Sequence, residues 1–152
     1  MNGDNFFLDT NVFIYMFDSR DIVKQQRARQ LVGHAIETDG GCISYQVIQE
    51  FLNVLTKKDL GPSTRMELGI LLEKYLVPLC RVHSSVALIQ RTLDLQERWQ
   101  YSFYDSLIIA AALQAGCTTL YSEDLQHGQK IETLIIVNPF LNNQNTARTT
   151  PT

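Results

Sequence analysis

Nothing in this sequence is long and apolar enough to cross a bilayer. The most apolar run, Leu107-Ile108-Ile109-Ala110-Ala111-Ala112-Leu113, falls far short of the ~20 residues a spanning helix needs. The opening Met1-Asn2-Gly3-Asp4 carries neither the basic region nor the apolar core of a signal peptide, so a cytoplasmic protein is expected. Cysteine is scarce. Cys42, Cys80 and Cys117 are isolated from one another, odd in number and set among apolar neighbours. They read as small buried hydrophobes in a reducing compartment, not as a disulfide framework or a thiolate metal site. His34, His83 and His127 show no ligand spacing with each other or with the cysteines, which argues against structural zinc. Positive charge is short as well: the formal net charge is −3, without the basic footprint usual in nucleic-acid binding. A nucleic-acid partner would have to be steered by local cations, or by divalent ions that make an acidic site attractive to phosphate.

What is present is an ordinary globular composition, 45% hydrophobic and 19% charged in 152 residues, enough for one compact core. Apolar strand candidates alternate with helical segments. Phe6-Phe7-Leu8 is followed by a short helix over 11–17 and an amphipathic helix over 21–36 that carries Lys24, Arg27 and Arg29 on or near its polar side. Gly40-Gly41 ends that unit, Cys42-Ile43-Ser44 forms the second strand, and a helix over 46–56 stops at Gly61-Pro62. Thr64-Arg65-Met66-Glu67 matches a capping box opening a helix to about residue 75, and 78–82 is a weak strand. Helices over 85–99 and 103–115 follow, with Gly116 at the end of the second. Thr118-Thr119-Leu120-Tyr121 and Leu134-Ile135-Ile136-Val137 are the last strands. The alternation predicts an α/β fold with a parallel sheet and helices on both faces. One domain is expected over 1–141, and the polar tail 142–152 is expected to be disordered.

Four carboxylates stand out. Asp9 directly follows Phe6-Phe7-Leu8. An acid at the carboxyl end of a parallel strand lines the ligand crevice, although capping the next helix explains it equally. Glu50 shares the helical spacing of Val47, Phe51, Val54 and Leu55. On that apolar stripe a carboxylate costs on the order of several kcal/mol unless it is paired or metal-bound; the alternative is a glutamate at the stripe's edge reaching water. Asp105 lies one turn from Tyr101, Ile108 and Ile109, and Ser102-Phe103-Tyr104-Asp105 also matches a capping box. Asp124 closes Leu120-Tyr121-Ser122-Glu123-Asp124 at another strand end, where a turn aspartate is commonplace and Glu123 leaves the choice of acid open. Together these acids can converge at one edge of the sheet. Carboxylate oxygens without histidine or thiolate suit Mg²⁺ or Mn²⁺, which can clamp a phosphodiester and activate water.

In order along the chain, Leu8-Asp9-Thr10-Asn11-Val12, Gln46-Val47-Ile48-Gln49-Glu50-Phe51, Tyr104-Asp105-Ser106-Leu107-Ile108 and Tyr121-Ser122-Glu123-Asp124-Leu125 resemble the motifs of PIN domains, and within them those of bacterial VapC-like toxins. The likeness runs from about residue 6 to residue 140, and includes Leu125-Gln126-His127-Gly128-Gln129 and Val137-Asn138-Pro139-Phe140. It implies a three-layer sandwich around a sheet of about five parallel strands, with Asp9, Glu50, Asp105 and Asp124 holding Mg²⁺ or Mn²⁺ for hydrolysis of RNA to a 5′-phosphate. By the same resemblance, Thr10, Asn11, Ser44 and Ser122 would orient these acids. A small antitoxin partner and a homodimer are also implied, the latter with Val12, Phe13 and Ile14 as candidate surface. The acidity of the chain departs from many relatives and leaves the RNA-binding surface open.

In the expected mechanism Asp9 and Asp105 hold one ion centrally while Glu50 and Asp124 complete the cluster or orient water. No lysine or histidine is placed as general base, so water activation falls to the ion. Lys24, Arg27, Lys57 and Lys58 could grip substrate phosphates, or could simply be solvated helix faces. Rival readings are a structure-specific DNA nuclease on the same fold, for which the chain is short, and a non-catalytic RNA-binding module, which would be favoured by missing acids. A phosphate-accepting receiver domain fits less well: Asp9 has no adjacent acidic partner, and the last strand runs into Asn138-Pro139.

Overall fold

The computed structural model describes residues 4–58 and 60–141. Six strands form one sheet in the order β3-β2-β1-β4-β6-β5. They are β1 (Phe6–Leu8), β2 (Gly41–Ser44), β3 (Cys80–Val82), β4 (Thr119–Tyr121), β5 (Lys130–Ile131) and β6 (Leu134–Val137). All neighbours are parallel except the β5–β6 hairpin. That hairpin is the departure from the expected five parallel strands. A two-residue strand has no periodicity to read, and it exists because Glu132 takes a left-handed turn (φ 56°) that folds Ile131 back onto Leu134.

The helices are α1 (Thr10–Tyr15), α2 (Ile22–Glu37), α3 (Tyr45–Lys57), α4 (Arg65–Leu71), α5 (Val77–Leu79), α6 (Val86–Trp99) and α7 (Phe103–Gln114). They flank the sheet and cover a core that includes Phe7, Leu8, Ile43, Phe51, Ile109 and Leu120, each almost wholly buried. Local chemistry sets their starts: Asp21, Thr64, Ser85 and Ser102 accept from Lys24 N, Glu67 N, Leu88 N and Asp105 N, as N-caps do. The helix expected to about residue 75 instead passes into a π-helical turn, Leu72–Leu76, and then α5. Pro78 lacks the N–H of a regular turn and its ring crowds the carbonyl four residues back; the chain widens, with Val77 N donating to the Leu72 carbonyl. The strand expected from residue 78 is thereby cut to Cys80–Val82.

Two readings are corrected here. Val12 and Phe13 are buried core residues, so α1 does not offer them as a dimer surface. Cys42 and Cys117 are buried as expected but not isolated: their Sγ atoms lie 3.3 Å apart across 75 residues of sequence. The expected tail 142–152 lies outside the described residues, and among those described no helix is long and apolar enough to cross a membrane.

Chain order explains where a site can form. From β1 the chain moves outward to β2 and β3, then returns to place β4 on the other side of β1. Connections on the two sides of β1 diverge at this switch, the place where sheets of this kind form a ligand crevice beyond the carboxyl ends of their strands. Asp9 immediately follows β1, and Asp124 lies in the loop after β4.

Candidate acidic site

Asp9 sits at this switch point, 7% exposed. The carboxylate caps α1 and directly follows β1. Thr10 N donates to Asp9 Oδ1 at 2.7 Å and Ser122 Oγ donates to Asp9 Oδ2 at 2.7 Å. Burial pushes the Asp9 carboxyl up to about 6. The bonds from Ser122 and Thr10 oppose that rise, and the charges of Glu50 and Asp124 add to it.

Glu50 stands half-buried on α3, its stripe partners Val47, Phe51 and Leu55 fully in the core. Thr10 Oγ1 donates to Glu50 Oε1 at 3.0 Å, which ties the start of α1 to the second turn of α3. Asp124 is exposed, and Asn11 Nδ2 donates to its Oδ2 at 3.1 Å. Its backbone N–H donates to Ser122 Oγ at 3.3 Å, so one hydroxyl joins the segments carrying Asp9 and Asp124. Asp105 is half-buried in the first turn of α7, where its N–H meets the Ser102 cap at 3.2 Å. Gln46 Nε2 donates to the Tyr104 carbonyl at 3.3 Å and brings the start of α7 to the start of α3. A chain of bonds thus joins Asp9, Glu50 and Asp124, while Asp105 reaches the same edge through Gln46. Among the described residues no three His, Cys, Asp or Glu side chains are gathered closely enough to hold an ion as placed.

The residues nevertheless fit a hard cation in two respects. The donor set is all carboxylate, which suits Mg²⁺ or Mn²⁺. Unpaired polar atoms also occur on the segments that carry the acids. Asn11 Oδ1, Ser44 Oγ, Gln46 Oε1 and Ser106 Oγ are four of the five buried side-chain polar atoms without a partner among the described residues. Ser44 is at the N-cap position of α3 yet makes no capping bond. Buried polar atoms are ordinarily satisfied; the Asn11 oxygen belongs to the amide that bonds Asp124, whereas Ser44 and Gln46 line a small cavity with Val82, His83 and Leu88. Gln46 and Ser106 were not singled out in the sequence, although both fall inside the quoted motif stretches.

The four candidate phosphate-gripping cations divide. Lys57 and Lys58 are exposed at the end of α3. Lys24 instead donates to Glu123 Oε2 at 2.5 Å, and its ammonium is held above its ordinary value chiefly by that bond. Arg27 Nε donates to the Pro139 carbonyl at 3.2 Å. Tyr15 was not singled out in the sequence, yet its hydroxyl donates to Glu123 Oε1 at 2.6 Å. Burial first, then that bond, pushes the Tyr15 phenol up.

Comparison with known proteins bears on this arrangement. A family model described as PIN domain matches residues 6–130. Among solved structures, VapC20 of Mycobacterium tuberculosis, described as a sarcin-ricin loop cleaving toxin, is 20% identical with a TM-score of 0.59, covering 79% of this chain and 90% of that one. A toxin-antitoxin complex from Klebsiella pneumoniae is 21% identical with a TM-score of 0.60, covering 88% and 97%. VapBC2 from Rickettsia felis, bound to a DNA fragment from its promoter, is 16% identical with a TM-score of 0.55, covering 86% and 96%. At these identities the likeness is one of fold. Among curated proteins none matches the chain. The matched span begins at β1, takes in all four acids and ends in β5, and the chain belongs to the PIN domain family.

Proposed function

We propose that this protein is an endoribonuclease dependent on Mg²⁺ or Mn²⁺, acting as the toxin of a toxin–antitoxin pair, with Asp9, Glu50, Asp105 and Asp124 as the acids that hold the metal. The observation that carries the reading is the buried Asp9 carboxyl at the switch point, bonded through Ser122 and Thr10 to the segments of Asp124 and Glu50. A bound divalent ion would polarise the phosphodiester and lower the pKa of an attacking water. The chain's own part is placement. Thr10 and Ser122 fix two carboxylates by hydrogen bonds, Asn11 fixes a third, and the N-terminus of α7 presents Asp105. The unpaired oxygen of Asn11, on the amide that bonds Asp124, is available to order water there. Lys57 and Lys58, exposed at the end of α3, are the cations assigned to an RNA backbone in this reading.

The test is cleavage of RNA and of single- and double-stranded DNA by wild type, Asp9→Asn and Asp105→Asn, with Mn²⁺ and with EDTA. Cleavage of RNA by wild type alone, with Mn²⁺ only, is the expected result. Activity that persists in EDTA or in the double variant would sink the assignment; cleavage confined to DNA favours the rival nuclease, and tight RNA binding without cleavage favours a binding module.

The same reading expects a small antitoxin encoded with the chain, and a homodimer in the cytoplasm. The VapBC-type assemblies of similar fold support the first. The exposed apolar residues Val86, Ile89 and Leu93, spaced along α6, support a surface for a second copy in place of α1. Light scattering that finds only monomer at high concentration counts against the dimer.

A further inference from the structure

Glu123 and Asp124 are consecutive acids in the loop after β4, and their separate partners come from residues far away in sequence. Both Glu123 oxygens are engaged: Oε1 accepts from the Tyr15 hydroxyl at 2.6 Å and Oε2 from Lys24 Nζ at 2.5 Å. Lys24 Nζ also donates to the Tyr15 hydroxyl at 3.3 Å, which closes a ring of three side chains. The ammonium lies 4.8 Å from the Tyr15 ring centroid and 5.8 Å from that of Phe140, and these two rings pack edge to face at 4.8 Å. The ring therefore joins α1, the first turn of α2, the loop after β4 and the segment after β6. The Lys24 and Glu123 side chains are only 30% and 24% exposed, so the pair is shielded more than an open surface ion pair. Asp124, one residue on, is left to Asn11.

We propose that Lys24 and Tyr15 are positioning residues that hold the Glu123 carboxylate out of the acidic site, so that Asp124 is the acid this loop contributes. The inference rests on the metal-nuclease reading above. It follows that Lys24, a candidate RNA-gripping cation by sequence, is neutralised inside the protein. Freed of Lys24, Glu123 would bring an uncompensated negative charge beside Asp124, on a side chain long enough to turn toward the cluster. An added charge there attracts cations while disturbing the arrangement that makes them productive.

Full-length wild type, Lys24→Met, Glu123→Gln and the double variant test this in two ways. Melts of the four proteins in EDTA form a double-mutant cycle that reads the pairing without reference to activity; strong non-additivity is expected, and additive effects overturn the clamp. Calorimetric Mn²⁺ titration and RNA-cleavage kinetics then read its consequence. Lys24→Met should bind Mn²⁺ severalfold more tightly yet lose about tenfold in kcat, the scale on which groups supporting metal ligands act, with KM for RNA little changed. Removing the released charge in Lys24→Met/Glu123→Gln should return both quantities toward wild type. A raised KM that Glu123→Gln does not rescue would mean that Lys24 grips RNA, and weaker Mn²⁺ binding would mean mere structural damage; either overturns the proposal. Should Lys24→Met fail to fold, Tyr15→Phe, which removes one of the two bonds to Glu123, should give the same pairing of tighter Mn²⁺ binding with lower kcat, and unchanged behaviour overturns the clamp. If wild type neither binds Mn²⁺ nor cleaves RNA, the nuclease reading fails, and the melts in EDTA still decide whether Lys24 and Glu123 act as a pair.

Discussion

Ser122 and Asp9 are 113 residues apart, and the Ser122 hydroxyl donates to Asp9 Oδ2 at 2.7 Å with both side chains buried. The same oxygen accepts from Asp124 N at 3.3 Å. The bond is a lateral tie between the ends of adjacent parallel strands, β1 and β4, and it opposes the burial that pushes Asp9 up.

Ser122→Ala should therefore raise the Asp9 carboxyl further. A buried acceptor left without its donor costs ~1–3 kcal/mol, and the loss should be larger at pH 7, where the carboxylate is charged, than at pH 4. Urea melts at the two pH values in EDTA measure it. The acid limb of the cleavage profile should also move to higher pH.

Asp9 gives the chain a pH-dependent stability of definite sign. Its folded-state value of about 6 exceeds the ordinary 3.8, so the folded protein holds this proton more tightly than the unfolded chain does. The cost of ionising it is absent below about pH 4, grows as pH rises through the window between those values, and is full above about pH 6, at roughly 3 kcal/mol for a shift of this size. Asp9→Asn keeps an acceptor for Thr10 N and can donate to Ser122. In EDTA it should be more stable than wild type at pH 7, on the order of 1–3 kcal/mol, with the advantage gone at pH 4. Mn²⁺ should stabilise wild type far more than the variant. Equal stability of the two proteins at both pH values contradicts this account.

Thr10→Val preserves the shape of a nearly buried side chain and deletes the hydroxyl that donates to Glu50. Loss of such a supporting bond typically costs roughly 10–100-fold in metal affinity or activity. The concentration of Mn²⁺ giving half-maximal cleavage should rise by at least about tenfold, while the melting temperature in EDTA changes little. A variant with unchanged metal dependence would remove Thr10 from the site.

Two glycines of neighbouring elements should respond oppositely to alanine. A Cβ on Gly41 would lie 2.3 Å from Ala35 Cβ and 2.7 Å from Ala35 Cα, where α2 presses on β2. Overpacking of this kind costs ~1–3 kcal/mol, and Gly41→Ala should also disturb the β1–β2 register that places Asp9. At Gly33, inside α2, a Cβ meets nothing within 4 Å. Gly33→Ala should stabilise by roughly 0.5–1 kcal/mol through helix propensity. Thermal melts of both variants check the pair.

Much of this architecture was legible in the residues because its causes are local. Strand cores such as Phe6-Phe7-Leu8, the Asp21, Thr64, Ser85 and Ser102 caps, and the stripe of Val47, Phe51 and Leu55 each depend on neighbours within a turn or two. Glu50 stood out for the same reason, as a carboxylate out of place on that stripe. The π-helical turn before Pro78 was hidden because the apolar pattern runs on through it, although the backbone cannot continue as a regular helix.

The sequence by itself determined the order of elements and the α/β class and marked the acids worth watching, with Glu123 and Asp124 left as alternatives, since each follows from short-range periodicity, capping or strand-end position. Only the tertiary structure decided which of these residues meet. It placed β4 beside β1, so that Ser122 could bond Asp9; it turned Lys24 onto Glu123 across 99 residues and left Asp124 to Asn11; it set Cys42 against Cys117. The reason is physical. A hydrogen bond or ion pair acts over about 3 Å, and which distant groups come within that range is fixed by how strands order and helices pack, which no local spacing in the chain records.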